Sequence, residues 1–331
     1  MTALRLGLVS TATINQQILD GAAESDLVEV VAVGSRDGSK AQAYAAEHGI
    51  GRAHASYEAL LADDDVDAVY VSLPNGMHHE WTMHALAAGK HVLCEKPYSR
   101  RAAEVEEAFA AADDAGLVLA EAFMYRHHPQ TARVRELVAQ GAIGRLCAVQ
   151  ATFSFPLDRP GDVRWQPELD GGSLMDVGCY CVSGIRLVAG EPVHVRGEQV
   201  VGTTGVDMAF HGILRCADDV VGQFEASFRS PKRQRLEIVG EDGVLIVEAP
   251  WRIDWGGAVR LARRAGGEEA TEVEVIPIDT ASSYRLELDN LAEAVAGRVP
   301  PLLGRDDALG QARTIEALYR SAEERRVAEL G

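Results

Sequence analysis

Residues 4–14 read "LRLGLVSTATI": an alternating apolar run breaks at Ser10 into small and hydroxyl side chains, and a helical pattern follows. A strand that meets a helix through a tight turn of small residues is how a dinucleotide-binding βαβ unit begins. The glycine fingerprint of such a turn would place glycines at 10, 12 and 15, where this chain has Ser10, Ala12 and Asn15. Ser and Ala are still small enough for the backbone to approach a pyrophosphate. Ser10, Thr11 and Thr13 add hydroxyl donors beside the helix N-terminus that Ile14 leads into. A plain strand-to-helix turn with Thr13 as N-cap stays open as the other reading.

Outward from this turn, apolar runs recur at "LVEVVAVG" (27–34), "DAVYVSLP" (67–74), "HVLCE" (91–95) and "LVLAEA" (117–122). Amphipathic patterns lie between them, and "AAEVEEAFAAADDAG" ends on Gly116 as a C-terminal stop. This alternation predicts a doubly wound parallel sheet with right-handed crossovers, a Rossmann domain over residues 1–122. After residue 122 the pattern changes. A helix, the strand "RLCAVQATFSF" and a Pro-, Gly- and Asp-rich loop (156–172) precede a second helix at about 173–189. Period-two runs then fill 192–276, and helical patterns at 283–297 and 306–328 close the chain. The expectation is α/β overall: a C-terminal α+β domain (123–331) with a large, mostly antiparallel open sheet, and a C-terminal helix that packs back on the first domain. Runs such as "VLIVEA" ask for a covered second face, so a homodimer or homotetramer through this sheet is expected.

Composition narrows the partners. Of 331 residues, 47% are hydrophobic and 25% charged, which is ordinary for a globular chain. Fifty acidic against 32 basic side chains give a net charge of −18, which argues against nucleic acid and anionic membrane surfaces. No apolar run is long enough to span a bilayer. Five cysteines and no hydrophobic N-terminal signal point to a reduced, cytoplasmic setting. Cys179 and Cys181 lack a second ligand cluster, and His78-His79 and His127-His128 are adjacent pairs that diverge on a helix, so no metal site is expected.

The other strand ends converge on chemistry. The second runs into "GSRDG", where an NAD site would place a carboxylate for the ribose. Ser35 and Arg36 come first there, with Lys40 shortly after. A hydroxyl and a guanidinium suit a 2′-phosphate, so NADP is favoured, while Asp37 keeps NAD open. The third major run ends in Ser72, Leu73, Pro74 and Asn75, with His78 opening the next helix, and the fourth delivers Glu95-Lys96-Pro97. Open α/β sheets bind ligands at this carboxyl edge. In the second half, "DGGSLMDVGCYCVSGI" (170–185) puts Asp176 and Tyr180 four apart on one helical face. A tyrosine beside an ammonium is a workable acid/base pair; a half-buried tyrosine satisfied by Asp176 is the alternative.

Together, "GLVSTATI", "GSRD", "SLPNGMHHEW", "AGKHVLCEKP", "EAFMYRHHP" and "GGSLMDVGCY" resemble the glucose-fructose oxidoreductase/inositol dehydrogenase (Gfo/Idh/MocA) family, in order and over nearly the whole chain. The sequence is most similar to the branch of dihydrodiol dehydrogenases, NADP-dependent xylose dehydrogenases and deoxysugar ketoreductases. The resemblance implies that Lys96 binds cofactor ribose and substrate oxygen, that Tyr180 donates or accepts the proton, and that Asp176 positions substrate. It also implies a cis Lys96-Pro97 bond, Glu95 holding that turn, and Arg164 and Trp165 bordering the nicotinamide. The expected activity is reversible hydride transfer between NADP(H) and a sugar or polyol carbon. Tyr125, Phe153, Phe155, Trp251 and Tyr284 are the aromatic candidates for a substrate wall. A non-catalytic NADP-sensing regulator, and a lyase or hydrolase using nicotinamide transiently, are the rival readings.

Overall fold

The alternating first part of the chain folds as a Rossmann unit in the computed structural model, which describes residues 3–265 and 270–330. Its elements are β1 (Leu4–Val9), α1 (Asn15–Ala23), β2 (Val28–Gly34), α2 (Gly38–His48), β3 (Arg52–His54), α3 (Tyr57–Leu61), β4 (Ala68–Val71), α4 (His78–Ala87), β5 (His91–Glu95), α5 (Ala102–Ala115) and β6 (Leu119–Ala122). The sheet is parallel, in the order β3-β2-β1-β4-β5-β6. The strand order reverses between β1 and β4, which run in register from Leu6 beside Ala68 to Val9 beside Val71. Their carboxyl ends, Ser10 and Ser72, therefore flank the switch point where such sheets open a ligand crevice. The sequence pattern missed β3, whose three residues are too few to show a period. Gly116 closes α5 in the left-handed region, at φ 66°.

The remainder comprises α6 (Pro129–Ala139), β7 (Leu146–Ser154), α7 (Cys179–Ala189), β8 (Pro192–Val201), β9 (Asp207–Cys216), β10 (Val221–Ser227), β11 (Arg233–Gly240), β12 (Gly243–Val247), β13 (Val259–Ala265), β14 (Ala270–Ile276), α8 (Ser283–Val295), α9 (Arg305–Glu324) and β15 (Ala328–Glu329). Nine strands form one sheet in the order β14-β13-β12-β11-β7-β10-β9-β8-β15. All its pairs are antiparallel except β7 with β10. The helix predicted for 306–328 stops at Glu324, and the chain then adds β15 to the sheet edge.

Packing divides the chain into one unit of 1–127 with 281–309 and another of 128–280 with 310–331. The sequence pattern had drawn a single cut after residue 122. The returned segment carries α8, whose Leu288, Leu291 and Ala292 join Leu6, Leu8, Ile18 and Tyr70 in the first unit's core. Gly21 permits this: a Cβ there would lie 2.9 Å from the Arg285 nitrogen and 3.1 Å from Tyr284 Cβ. In the second unit α7 is buried from Cys179 to Arg186. Gly184 lets it lie on Trp251, since a Cβ would fall 2.4 Å from the indole.

Candidate active site

At the switch point Ser10 stands where the fingerprint has its first glycine, and its backbone takes a glycine-type φ of 135°. Side-chain bonds hold it there. Ser10 Oγ lies 2.8 Å from Ser72 Oγ and 3.1 Å from the Ser72 carbonyl, and it accepts from the Ala12 N–H at 3.1 Å. Asn15 Nδ2 donates to the Ser10 carbonyl at 2.8 Å. No side chain caps α1, and its N-cap position is Ile14 rather than Thr13. Asn15, Gln16 and Gln17 N–H bond back to the Ala12, Thr13 and Ile14 carbonyls, so the backbone donors that suit a pyrophosphate lie in the turn ahead of Asn15.

A cavity of about 300 Å³ opens beside this turn, lined by Ser10, Thr11, Ala12, Ser35, Arg36, Asp37, Lys40, Tyr57 and the Ser72-Leu73-Pro74 loop. Asp37 commits one carboxylate oxygen to the helix that follows. Its Oδ1 accepts from Ser39 N at 3.0 Å, Ser39 Oγ at 2.6 Å and Lys40 N at 3.3 Å, capping α2. These bonds hold its pKa below the usual 3.8, led by the Ser39 hydroxyl. Arg36 and Lys40 remain as exposed cations on the cavity wall. The residues present thus fit a dinucleotide with a 2′-phosphate better than one with a free ribose. Tyr57, packed edge-on against Trp81 at 4.8 Å, is a wall residue that the sequence reading missed.

Two strands further along the sheet, β5 ends in the Lys96 turn. The Lys96–Pro97 bond is cis, as the resemblance implied. Glu95 holds the turn from one side: its Oε2 accepts from the Lys96 N–H at 3.1 Å, and its Oε1 accepts from the Tyr70 hydroxyl. Burial, then the Glu95 charge, push the Tyr70 phenol well above 10, so it stays a donor. Tyr98 N donates to Glu121 Oε1 at 2.8 Å on the far side. His78, expected at the cofactor, is fully buried, with ring nitrogens facing the Pro97 carbonyl at 3.0 Å and the Leu73 carbonyl at 2.8 Å. Asn75 opens the short turn before α4.

In the second unit the helix expected from 173 begins with a π-helical turn, Leu174–Gly178, and becomes α-helical at Cys179. Asp176 lies within the π turn and Tyr180 in the first turn of the α-helical part. Asp176 Oδ2 accepts from Arg164 Nε at 2.8 Å, and Arg164 also contacts Asp162 at 3.2 Å. Asp176 raises the Arg164 pKa further above 12.5. The π turn is anchored from below by Asp207, which accepts from Ser173 Oγ and Leu174 N at 2.7 Å and from Tyr319 Oη at 2.9 Å. Gly172, at φ 115°, is needed for this approach, since a Cβ would lie 2.1 Å from Asp207 Oδ1. Asp207 was not among the sequence candidates.

Aromatic rings gather around Tyr180, itself 6% exposed: Phe153 edge-on at 5.4 Å and Trp251 tilted at 6.2 Å. Trp251 also donates to the Thr152 carbonyl at 3.2 Å. Trp165 and Phe155 both pack on Phe228, at 5.4 and 5.3 Å. Two other aromatic candidates lie in the first unit. Tyr125 packs edge-on against Phe123, and Tyr284 packs against the Rossmann core.

A parallel sheet with the nucleotide-binding strand order, a switch-point crevice and a built lysine turn defines a dinucleotide-binding oxidoreductase fold. Comparison with known proteins agrees. Residues 4–123 match the model described as oxidoreductase family, NAD-binding Rossmann fold, and 131–246 match the GFO/IDH/MocA C-terminal domain. The chain belongs to the GFO/IDH/MocA oxidoreductase family. It is 40% identical over 334 residues to the D-xylose 1-dehydrogenase (NADP(+)) 2 of Haloferax volcanii, covering 99% of this chain and 100% of that one. It is 42% identical over 273 residues, 81% of this chain and 80% of the relative, to the dTDP-3,4-didehydro-2,6-dideoxy-alpha-D-glucose 3-reductase of Streptomyces violaceoruber. Among solved structures, a 3-ketoreductase from Actinomadura kijaniata crystallised with NADP and TDP-benzene superposes with a TM-score of 0.89 at 30% identity, covering 97% and 98% of the two chains.

Proposed function

We propose that this protein is an NADP(H)-dependent oxidoreductase acting on a carbinol or carbonyl carbon of a sugar or polyol, with an aldose as the first candidate. The observation that carries this reading is the lysine turn built onto the same sheet edge as a crevice walled by Ser35, Arg36 and Lys40, with Asp37 diverted to cap a helix. The full-length likeness to a xylose dehydrogenase supports an aldose, and the likeness to deoxysugar reductases supports sugar carbonyls in general.

In this reading, the turn ahead of α1 and the Ser10–Ser72 loops receive the pyrophosphate, and Arg36, Lys40 and Ser35 receive the 2′-phosphate. Bound NADP(H) supplies or accepts hydride at nicotinamide C4. Tyr180 Oη gives its proton to the developing alkoxide during reduction and takes it back during oxidation. Lys96 Nζ bonds a substrate oxygen and offsets the negative charge that develops on it. Asp176, oriented by Arg164, positions a substrate hydroxyl. Phe153 and Trp251 shield the phenol from water.

Homo-oligomerisation through the nine-stranded sheet is part of the proposal: Ile213, Val200, Val273 and Val275 are 41–55% exposed on its strands. A cytoplasmic setting is also proposed, supported by five cysteines that are all free thiols. No helix among the described residues is long and apolar enough to cross a membrane.

The test is a turnover screen of aldoses, trans-dihydrodiols and nucleotide-linked ketosugars with NADP(H) and NAD(H), monitored at the nicotinamide absorbance. Sustained NADP(H)-linked turnover with a sugar is expected. Tight NADPH binding without turnover on any of them would instead support a sensor. Cofactor retained through purification with no net consumption would support a lyase or hydrolase.

A further inference from the structure

His78 is the first residue of α4, is 0% exposed, and presents each ring nitrogen to a different backbone carbonyl. Nδ1 meets Pro97 O, next to Lys96, and Nε2 meets Leu73 O, in the loop that lines the nucleotide crevice. A carbonyl only accepts, and a neutral imidazole carries a single N–H. Burial keeps the His78 pKa below 6.5, the two carbonyls and Glu95 pulling it back up and Lys96 pushing it down. In the neutral ring one nitrogen donates to its carbonyl and the other faces its carbonyl without a proton. No solvent reaches the ring to relieve the unserved side. A buried space-filler would need neither contact, and an ordinary buried histidine pairs one donor with one acceptor.

We propose that His78 is a positioning residue that ties the Lys96–Pro97 turn and the Leu73–Pro74 loop together through opposite sides of one ring. It touches neither cofactor nor substrate. The Nδ1 side fixes the height of Lys96 at the sheet edge, and the Nε2 side fixes the wall against which the nucleotide lies. A small displacement of a reacting group lowers turnover far more than it lowers binding, so losing the two sides has different kinetic consequences. This inference rests on the reading of Lys96 as a catalytic group and of the Leu73–Pro74 loop as cofactor wall.

Two amide substitutions separate the sides, because an asparagine amide reaches the place of Nδ1 and a glutamine amide the place of Nε2. His78→Asn keeps the Pro97 tie and loses the Leu73 tie. His78→Gln does the reverse. The experiment measures kcat, KM and the NADPH dissociation constant by fluorescence titration for both, with thermal melting to confirm folding. His78→Asn is expected to keep kcat within a few-fold and weaken NADPH about tenfold, the worth of one buried hydrogen bond. His78→Gln is expected to keep NADPH affinity and lower kcat about tenfold or more. General loss of stability would move both variants alike. Identical profiles in the two, or a loss confined to one of them, overturns the two-sided tie. If the wild type turns over no substrate, the oxidoreductase reading fails by itself, and NADPH affinity, which needs no turnover, decides the tie: His78→Asn binding as tightly as His78→Gln overturns it.

Discussion

Each unit buries a carboxyl group near a turn to which the proposed chemistry is assigned, and the two are treated in opposite ways. In the second unit Asp207, 2% exposed, accepts three hydrogen bonds at the base of the turn that leads to Tyr180. In the first, Glu287 on α8 is equally buried, and its Oε1 has no hydrogen-bond partner among the described residues. Glu287 lies within electrostatic reach of Glu95, the residue that holds the Lys96 turn. Burial raises the pKa of both acids, for Glu287 well above 4.5 with Glu95 adding to it, and for Asp207 against the pull of its donors. Three donors make Asp207 an anchor. Without such donors, and beside another carboxylate, Glu287 is tolerated as the neutral acid.

Breaking the anchor is the severest way to test this contrast. Asp207→Ala leaves the Ser173 and Tyr319 hydroxyls and the Leu174 N–H buried without their acceptor. Urea denaturation is expected to show a loss on the order of 3 kcal/mol. A loss below about 1 kcal/mol would mean that the three bonds do not anchor the turn.

A pH series on the other carboxyl sharpens the contrast. The folded pKa of Glu287 lies above its unfolded value of about 4.5, so its contribution is fully present below that pH and falls as pH rises toward the folded value. Glu287→Gln removes the ionisation while keeping the shape. From pH 4.5 upward the wild type should lose stability progressively relative to the variant. Parallel stability curves for the two proteins would show that Glu287 does not carry this penalty.

The same contrast explains what the sequence could and could not disclose. The cofactor edge was legible because each buried strand announces its end by an abrupt change of chemistry: Val9 to Ser10, Gly34 to Ser35 and Arg36, Cys94 to Glu95 and Lys96. These signals are local. Asp207 was not legible because its partners lie 33, 34 and 112 residues away, and nothing near it marks an anchor. The π turn before Tyr180 has the same apolar pattern as an α-helix, so periodicity hid it, and nothing local announced the pairing of Asp176 with Arg164 twelve residues earlier. His78 sat in a motif at the crevice, yet only the fold shows both of its nitrogens turned to backbone carbonyls. That Tyr284 packs on the first unit's core was not legible either, because an aromatic at the start of an amphipathic helix reads the same whichever unit the helix packs on.

Lys96 and Tyr180 are the two side chains to which the proposed hydride transfer assigns charge stabilisation and proton transfer. Steady-state turnover of Lys96→Ala and Tyr180→Phe, paired with NADPH binding isotherms, tests this assignment most directly. Turnover in each is expected to fall roughly hundredfold or more while NADPH still binds. Near-normal rates in both variants would contradict the account.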